Sequence, residues 1–179
     1  MRWDFNGRQL NVEIKARCES HIPLRRILKA HGADFRGTDR QVDTYFRVPD
    51  GRLKLREGNI ENTLIHYVRA NKAGPKDSHI TLFHTEPKSS LKGLLTRSLG
   101  ILTVVDKRRE IYFIGNVKFH LDTLAGIGKF VEIEAIDRDG SIGRPKLLAQ
   151  CRRYMKEFGI RKADLLSRSY ADMVLKRRI

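Results

Sequence analysis

Polar and apolar residues alternate along eight stretches of the chain, at about 8–17, 41–48, 52–57, 62–70, 79–85, 102–114, 116–123 and 129–136, each rich in β-branched and aromatic residues. A period of two is the signature of a strand, whose successive side chains point to opposite faces. Gly115-Asn116, between Ile114 and Val117, predicts a tight hairpin, and Pro49-Asp50-Gly51 predicts the turn that folds the second strand onto the third. Neighbouring strands are therefore expected to be antiparallel. A period near 3.6 predicts helices at about 22–31, 89–99, 144–158 and 163–176. The first has Ser20 as its N-cap, Pro23 in its first turn and Gly32 past its end; the second starts at Ser89 or Ser90 and stops at Gly100. Leu147, Leu148, Cys151, Tyr154, Met155 and Phe158 form the apolar stripe of the third, and Leu165, Leu166, Tyr170, Met173 and Val174 that of the fourth. The closing Lys176-Arg177-Arg178 suits the negative end of a helix dipole.

Sorted by parity, the charges of the strands fall on one face. Asn11, Glu13 and Lys15 oppose Val12, Ile14 and Ala16; Arg52, Lys54 and Arg56 oppose Leu53 and Leu55; Tyr67 and Arg69 oppose His66 and Val68. Lys107 and Arg109 share a face, as do Lys118, His120 and Asp122, and Glu132 and Glu134 stand opposite Val131, Ile133 and Ala135. Alternation alone fits equally well an open sheet with its charged face in solvent. The helices, however, need an apolar partner, and the Leu, Ile and Val faces of the strands supply it. Eight antiparallel strands can also close, and a small barrel is just wide enough inside for side chains or one small ligand. The expected fold is α+β: an eight-stranded closed antiparallel β-barrel with a charged interior and helices packed outside, as one domain over 1–179.

Such a lumen mixes signs, which is costly unless the charges pair with each other or with a ligand. Carboxylates at Glu13, Asp122, Glu132 and Glu134, with no soft donor among them, suit Mg²⁺ or Mn²⁺. Cations at Lys15, Arg52, Lys54, Arg56, Arg69, Lys107 and Arg109 suit several phosphate groups, Arg by bidentate bonding and Lys as a point charge. Lys and Arg outnumber Asp and Glu by 36 to 21, a net charge of +15 that draws phosphate-bearing partners without saying which. No apolar run approaches the roughly 18–20 residues of a membrane span, and Met1–Arg8 lacks the features of a secretory signal, so a cytoplasmic protein is expected. Cys18 and Cys151 have no Cys or His at metal-ligand spacing, which argues against a disulfide framework or a zinc site and for inert thiols.

The motifs in order are Asn-Val-Glu-Ile-Lys at 11–15, Gln-Val-Asp-Thr-Tyr-Phe at 41–46, Gly-Arg-Leu-Lys-Leu-Arg-Glu at 51–57 and Tyr-Val-Arg at 67–69. Ala-Gly-Pro-Lys at 73–76, Lys-Arg-Arg at 107–109, His-Leu-Asp at 120–122, Phe-Val-Glu-Ile-Glu-Ala at 130–135 and Ser-Tyr-Ala-Asp at 169–172 follow. At these residues the chain resembles the CYTH superfamily, which unites class IV adenylate cyclases with triphosphatases, and resembles its class IV adenylate cyclase-like members most. The resemblance implies a closed antiparallel tunnel that binds a triphosphate. It implies divalent metal at Glu13, Glu132 and Glu134, with Asp122 as a further ligand or a positioning carboxylate. It implies phosphate contacts from Lys15, Lys54, Arg56, Arg69, Lys76, Lys107 and Arg109; Arg52 joins them on parity alone. The chain departs from the family's Glu-x-Glu-x-Lys at Asn11, where an amide oxygen can still ligate but brings no charge. Weaker metal binding at one position is the expected consequence.

His120, on the predicted inner face, is open to proton transfer, phosphate contact or a structural role. His66 and His79 are expected to be solvated or packed, Tyr45 and Tyr67 to be packed, and Tyr170 to make a structural helix contact. The leading expectation is a metal-dependent enzyme converting ATP to cyclic AMP and pyrophosphate, with triphosphate hydrolysis as the alternative. A non-catalytic nucleotide or polyphosphate-binding module, with Asn11 marking lost chemistry, is another. Nucleic-acid binding ranks last because it leaves the carboxylates unexplained. The partners expected are a nucleotide or inorganic triphosphate and a second copy of the chain in a homodimer, with no membrane.

Overall fold

The structure, a computed structural model, describes residues 8–177. Met1–Gly7, most of the segment scanned for a secretory signal, and Arg178 of the basic terminus lie outside the described residues. Eight strands form a closed barrel in the order β1-β5-β4-β3-β2-β6-β7-β8, every neighbouring pair antiparallel. They are β1 (Arg8–Cys18), β2 (Asp34–Phe46), β3 (Arg52–Glu57), β4 (Thr63–Arg69), β5 (Lys76–His84), β6 (Ile101–Ile114), β7 (Val117–Leu124) and β8 (Gly128–Asp137). The helices are α1 (Ile22–Ala30), α2 (Leu91–Leu99), α3 (Arg144–Glu157) and α4 (Tyr170–Arg177), with a short 3₁₀ turn at Lys162–Asp164. No helix of the described residues is long and apolar enough to cross a membrane.

Both predicted turns form. Gly115, at φ 56°, takes the left-handed conformation that a two-residue hairpin demands between β6 and β7, and the turn at 49–51 sets β2 against β3. Two strands begin before their expected starts. β2 starts at Asp34 and runs along β6 through an irregularity between Phe35 and Gly37. Its polar first half gives no apolar alternation, and the long pairing with β6 overrides that weak signal. β5 starts at Lys76, where pairing with Glu13 extends it.

The helix expected over 163–176 is instead two pieces. Leu165 bridges back to Ala16, and the Leu166 amide donates to the Lys15 carbonyl at 2.9 Å, so the chain runs extended along β1 before α4 begins at Tyr170. Edge pairing to β1 satisfies backbone groups that a continuous helix would have satisfied internally. His21, not Ser20, is the N-cap of α1, although the Ser20 hydroxyl still accepts the Ile22 amide at 3.2 Å.

The apolar parity faces outward where helices cover it. Val12, Ile14 and Ala16 of β1, Val117, Phe119 and Leu121 of β7, and Val131, Ile133 and Ala135 of β8 form one cluster with Leu24 and Leu28 of α1 and Leu147, Cys151, Tyr154 and Phe158 of α3. Phe119 stands edge-on to Tyr154 at 4.8 Å between ring centroids. This core outside the barrel frees the inner face of the same strands for polar residues. A second cluster joins Tyr45, Ile65, Tyr67, Leu124 and Phe130 to Tyr170 and Ala171 of α4, which packs at the end of the barrel formed by the C-termini of β1 and β7. Burial pushes the thiols of Cys18 and Cys151 up to about 11 and about 12, leaving both protonated and poorly nucleophilic.

Candidate functional site

The inward parity of all eight strands meets in one cavity of about 750 Å³, within the range of small-molecule sites. Glu13 and Lys15 of β1 lie beside Glu134 and Glu132 of β8, their direct partners in the strand register. His120 on β7 is the register partner of Glu132. Lys54 and Arg56 enter from β3, Arg69 from β4, and Lys107 and Arg109 from β6. Lys118 and Arg138 also line the wall, so eight cations face it against four carboxylates, the fourth being Glu61. Asp43 and Asp122 stand behind the wall and pair with four of these cations, which leaves an excess of two positive charges for an anionic ligand to offset.

Most of these groups are tied into ion pairs. Lys15 and Arg109 both bond Glu132, Arg109 at 2.7 Å, and His120 Nδ1 lies 3.0 Å from the same carboxylate. Burial works to raise the Glu132 pKa, but Lys15, Arg109 and His120 outweigh it and hold the carboxyl well below its usual range. Arg69 bonds Glu13 through one nitrogen, while its Nε and second Nη, both buried, have no hydrogen-bond partner among the described residues. His120 Nε2 and Asn11 Nδ2 are likewise buried and unpartnered. Buried polar atoms without a partner are uncommon, and all of these belong to residues that line the cavity.

Three expected site residues do not line the cavity. Asp122 is fully buried behind Arg109, which it holds by a bidentate pair at 2.7 and 2.6 Å, and it accepts the Tyr170 hydroxyl at 2.8 Å. It aims Arg109 across the wall of the cavity. Arg52 turns toward α4 and pairs with Asp172 at 3.4 Å and Asn71 at 2.9 Å. Being close to the strand end, it follows the rim and leaves the lumen. The Lys76 ammonium bonds the carbonyls of Lys72 and Leu166, both at 3.1 Å. Burial and the neighbouring Arg69 bring its pKa down to about 8.

Two acidic residues escaped the sequence reading. Asp43 lies on the inward parity of β2, with Asp39, Gln41 and Tyr45, and accepts bonds from Lys54 at 3.0 Å, Arg56 at 2.9 Å and Lys107 at 2.6 Å. Sorting β2 by parity would have found it. Burial opposes its ionisation, yet the three cations hold it well below the carboxylate range. Glu61 comes from the β3–β4 loop, where no parity applies, and reaches Arg56 at 2.9 Å and Lys118. Asp39 fixes that loop by accepting the amides of Asn59, Ile60 and Glu61 at 2.7, 3.0 and 3.0 Å. A Cβ at Gly58 would stand 2.6 Å from both Asp39 oxygens, so only glycine fits there.

At one end of the cavity Ile60, Leu82, Phe113 and Ile136 line the wall together with Gln9, Asn62, His84, Lys118 and Arg138. At the other, Ser169 and Tyr170 close it, the Tyr170 ring lying 3.2 Å beneath the Lys15 ammonium. Tyr170 is thus a lumen residue as well as a helix contact. Tyr45 and Tyr67 are buried and line the same wall. His79 is exposed, and His66 bonds the Asp50 carbonyl at 3.2 Å outside the lumen.

A closed antiparallel barrel lined by interleaved carboxylates, arginines and lysines defines the class to which this architecture belongs. The CYTH domain family model matches residues 9–170, and the chain belongs to that family. Adenylate cyclase CyaB of Aeromonas hydrophila is 29% identical over 175 residues, covering 93% of this chain and 88% of its own. A candidate adenylate cyclase from Vibrio parahaemolyticus superposes with a TM-score of 0.74 at 21% identity, covering 93% of this chain and 98% of its own. The Hippeastrum protein HpAC1, a candidate adenylyl cyclase described as having a dominant triphosphatase activity, superposes at 0.57 with 15% identity, covering 95% of each chain.

Proposed function

We propose that the chain, acting as a single domain in the cytoplasm, is a divalent-metal-dependent enzyme that takes a triphosphate into the barrel, most in keeping with ATP conversion to cyclic AMP and pyrophosphate. The observation that carries this reading is the convergence of Arg56, Arg69, Arg109, Lys15, Lys54 and Lys107 with Glu13, Glu132 and Glu134 on one cavity. Arginine forks and lysine point charges there would bind the phosphate oxygens, and Arg69 keeps two nitrogens without a partner among the described residues. The oxygen donors of Glu13, Glu132 and Glu134 fit Mg²⁺ or Mn²⁺, which when bound would neutralise phosphate charge and lower the pKa of an attacking hydroxyl. The side chains of Ile60, Leu82, Phe113 and Ile136 offer a nucleoside an apolar surface that an inorganic triphosphate would not use. In the cyclase reaction the 3′-oxygen bonds the α-phosphorus, the bond to the pyrophosphate oxygen breaks, and the hydroxyl proton passes to solvent water. Lys and Arg side chains already fixed in the wall would stabilise the charge on the departing pyrophosphate without reorganising.

Hydrolysis of the terminal phosphate is the second reading, favoured by the triphosphatase activity ascribed to the Hippeastrum neighbour and by the same cage of cations. Purified protein with Mg²⁺ or Mn²⁺ should be assayed for cyclic AMP from ATP and for orthophosphate from ATP, tripolyphosphate and thiamine triphosphate. Cyclic AMP supports the first reading and orthophosphate the second. Absence of turnover with every substrate and either metal overturns both and leaves a binding module.

A further inference from the structure

Among the described residues, one group of potential metal donors stands out, and it is not purely carboxylate. His120, Glu132 and Glu134 each bring a donor atom to within 4.8 Å of the others. The Nδ1 of His120 lies 3.0 Å from Glu132 Oε2 and 3.4 Å from Glu134 Oε1. An octahedral ion with bonds of about 2.1 Å sets neighbouring donors about 3.0 Å apart, close to both distances from His120 Nδ1 to the carboxylates. The three residues sit on adjacent strands, β7 and β8, whose pairing of His120 with Glu132 fixes that spacing in the backbone.

The other ring nitrogen supplies independent evidence. His120 is 1% exposed, and its Nε2 is buried with no partner while the residue lines the cavity. A histidine that served only to bridge two carboxylates through Nδ1 would leave that second nitrogen permanently unsatisfied, a cost that buried polar atoms seldom bear. A histidine ligating through Nδ1 carries its proton on Nε2, and metal-bound imidazoles regularly donate that proton onward.

We propose that His120 Nδ1 is a nitrogen ligand of the divalent site, with Glu132 and Glu134, and that the site consequently prefers a first-row transition ion such as Mn²⁺ to Mg²⁺. This rests on the metal-dependent reading above. Asn11 gives the preference its reason. Position 11 contributes no charge, so the site has lost part of what holds a hard, oxygen-seeking ion, while an imidazole donor adds affinity for Mn²⁺ and little for Mg²⁺.

The test is pulsed electron paramagnetic resonance on the full chain loaded with Mn²⁺ alone and then with tripolyphosphate, together with calorimetric titration by Mn²⁺ and Mg²⁺. The expected result is a ¹⁴N modulation of directly bound imidazole that collapses on ¹⁵N-histidine labelling and is missing in His120→Asn. Mn²⁺ should bind at least about tenfold tighter than Mg²⁺, and His120→Asn should shrink that ratio to within about threefold. Asn11→Glu, which leaves His120 in place, should raise Mg²⁺ affinity while preserving the nitrogen signal; it guards against a folding defect in the histidine variant. Tight Mn²⁺ binding without nitrogen coupling overturns the proposal and leaves the metal-dependent reading standing. If neither ion binds, both the proposal and the metal-dependent reading are overturned.

Discussion

Asp43→Asn tests whether the cavity is built to hold anionic charge. The Asp43 side chain is 1% exposed and accepts from Lys54, Arg56 and Lys107, of which Lys107 is also 1% exposed. The amide keeps the shape, removes the one carboxylate bonded to Lys107 among the described residues, and turns an acceptor into a donor facing cations. Removing one partner of a buried pair costs about 3–5 kcal/mol. Burial already pulls the Lys107 amine well below the lysine range, helped by Arg56 and Arg109, so it can shed its proton and limit the loss, whereas Arg56 cannot. We therefore expect about 3 kcal/mol, which lowers Tm by roughly 6–12 °C in a chain of this size. A bound polyanion should replace the lost charge. Thermal unfolding followed by circular dichroism, with and without tripolyphosphate, should show the ligand raising the Tm of Asp43→Asn by more than that of the parent. An unchanged Tm in the variant, or an equal ligand shift in both proteins, would refute the reasoning.

Arg69→Ala should weaken tripolyphosphate binding by roughly 10–100-fold, the worth of one or two hydrogen bonds to a charged group, whereas Arg52→Ala, whose partner is Asp172, should leave it within about twofold; calorimetry showing similar losses for both would mean the rim also binds phosphate. Glu61 occupies the space between Arg56 and Lys118 as a resident anion. Glu61→Gln should release both cations and tighten tripolyphosphate binding by about tenfold, and weaker binding would show that Glu61 orders the wall instead. For pH, burial would raise the Glu134 carboxyl, but the charge and hydrogen bond of His120 win and bring it down to about 2. A depressed folded pKa makes this contribution complete above the unfolded value near 4.5 and lost as pH falls toward 2. The urea midpoint of the metal-free protein should fall across that window, and a flat profile would contradict the pairing.

The barrel was legible because its core lies outside it. The outward Val12-Ile14-Ala16, Val117-Phe119-Leu121 and Val131-Ile133-Ala135 triplets left the charged parity nowhere to go but inward, and helix stripes such as Leu147-Cys151-Tyr154-Phe158 announced what covers them. Parity also found Glu13, Lys15, Lys54, Arg56, Arg69, Lys107, Arg109, His120, Glu132 and Glu134 on the cavity wall. It failed at strand ends and loops. Arg52 shares the parity of Lys54 yet bends to α4, and Lys76 is drawn to backbone carbonyls that no local pattern encodes. Asp122 shows a subtler limit, since facing inward did not bring it to the surface of the cavity once Arg109 lay across it. Glu61 depends on the loop that Asp39 holds from 22 positions away, a tertiary contact without periodicity. Leu165 and Leu166 fit the stripe of the last helix by spacing, but their backbone pairs along β1 instead, so the helix begins only at Tyr170.

A crystal structure of the protein soaked with a non-hydrolysable ATP analogue and Mn²⁺ would bear most directly on the central claim, that the barrel interior is where a triphosphate binds. The phosphates should lie inside, bonded to Arg56, Arg69 and Arg109, with the metal on Glu132 and Glu134. Phosphates on the outer face of α3 or α1, with the ion pairs of the lumen unchanged, would contradict it.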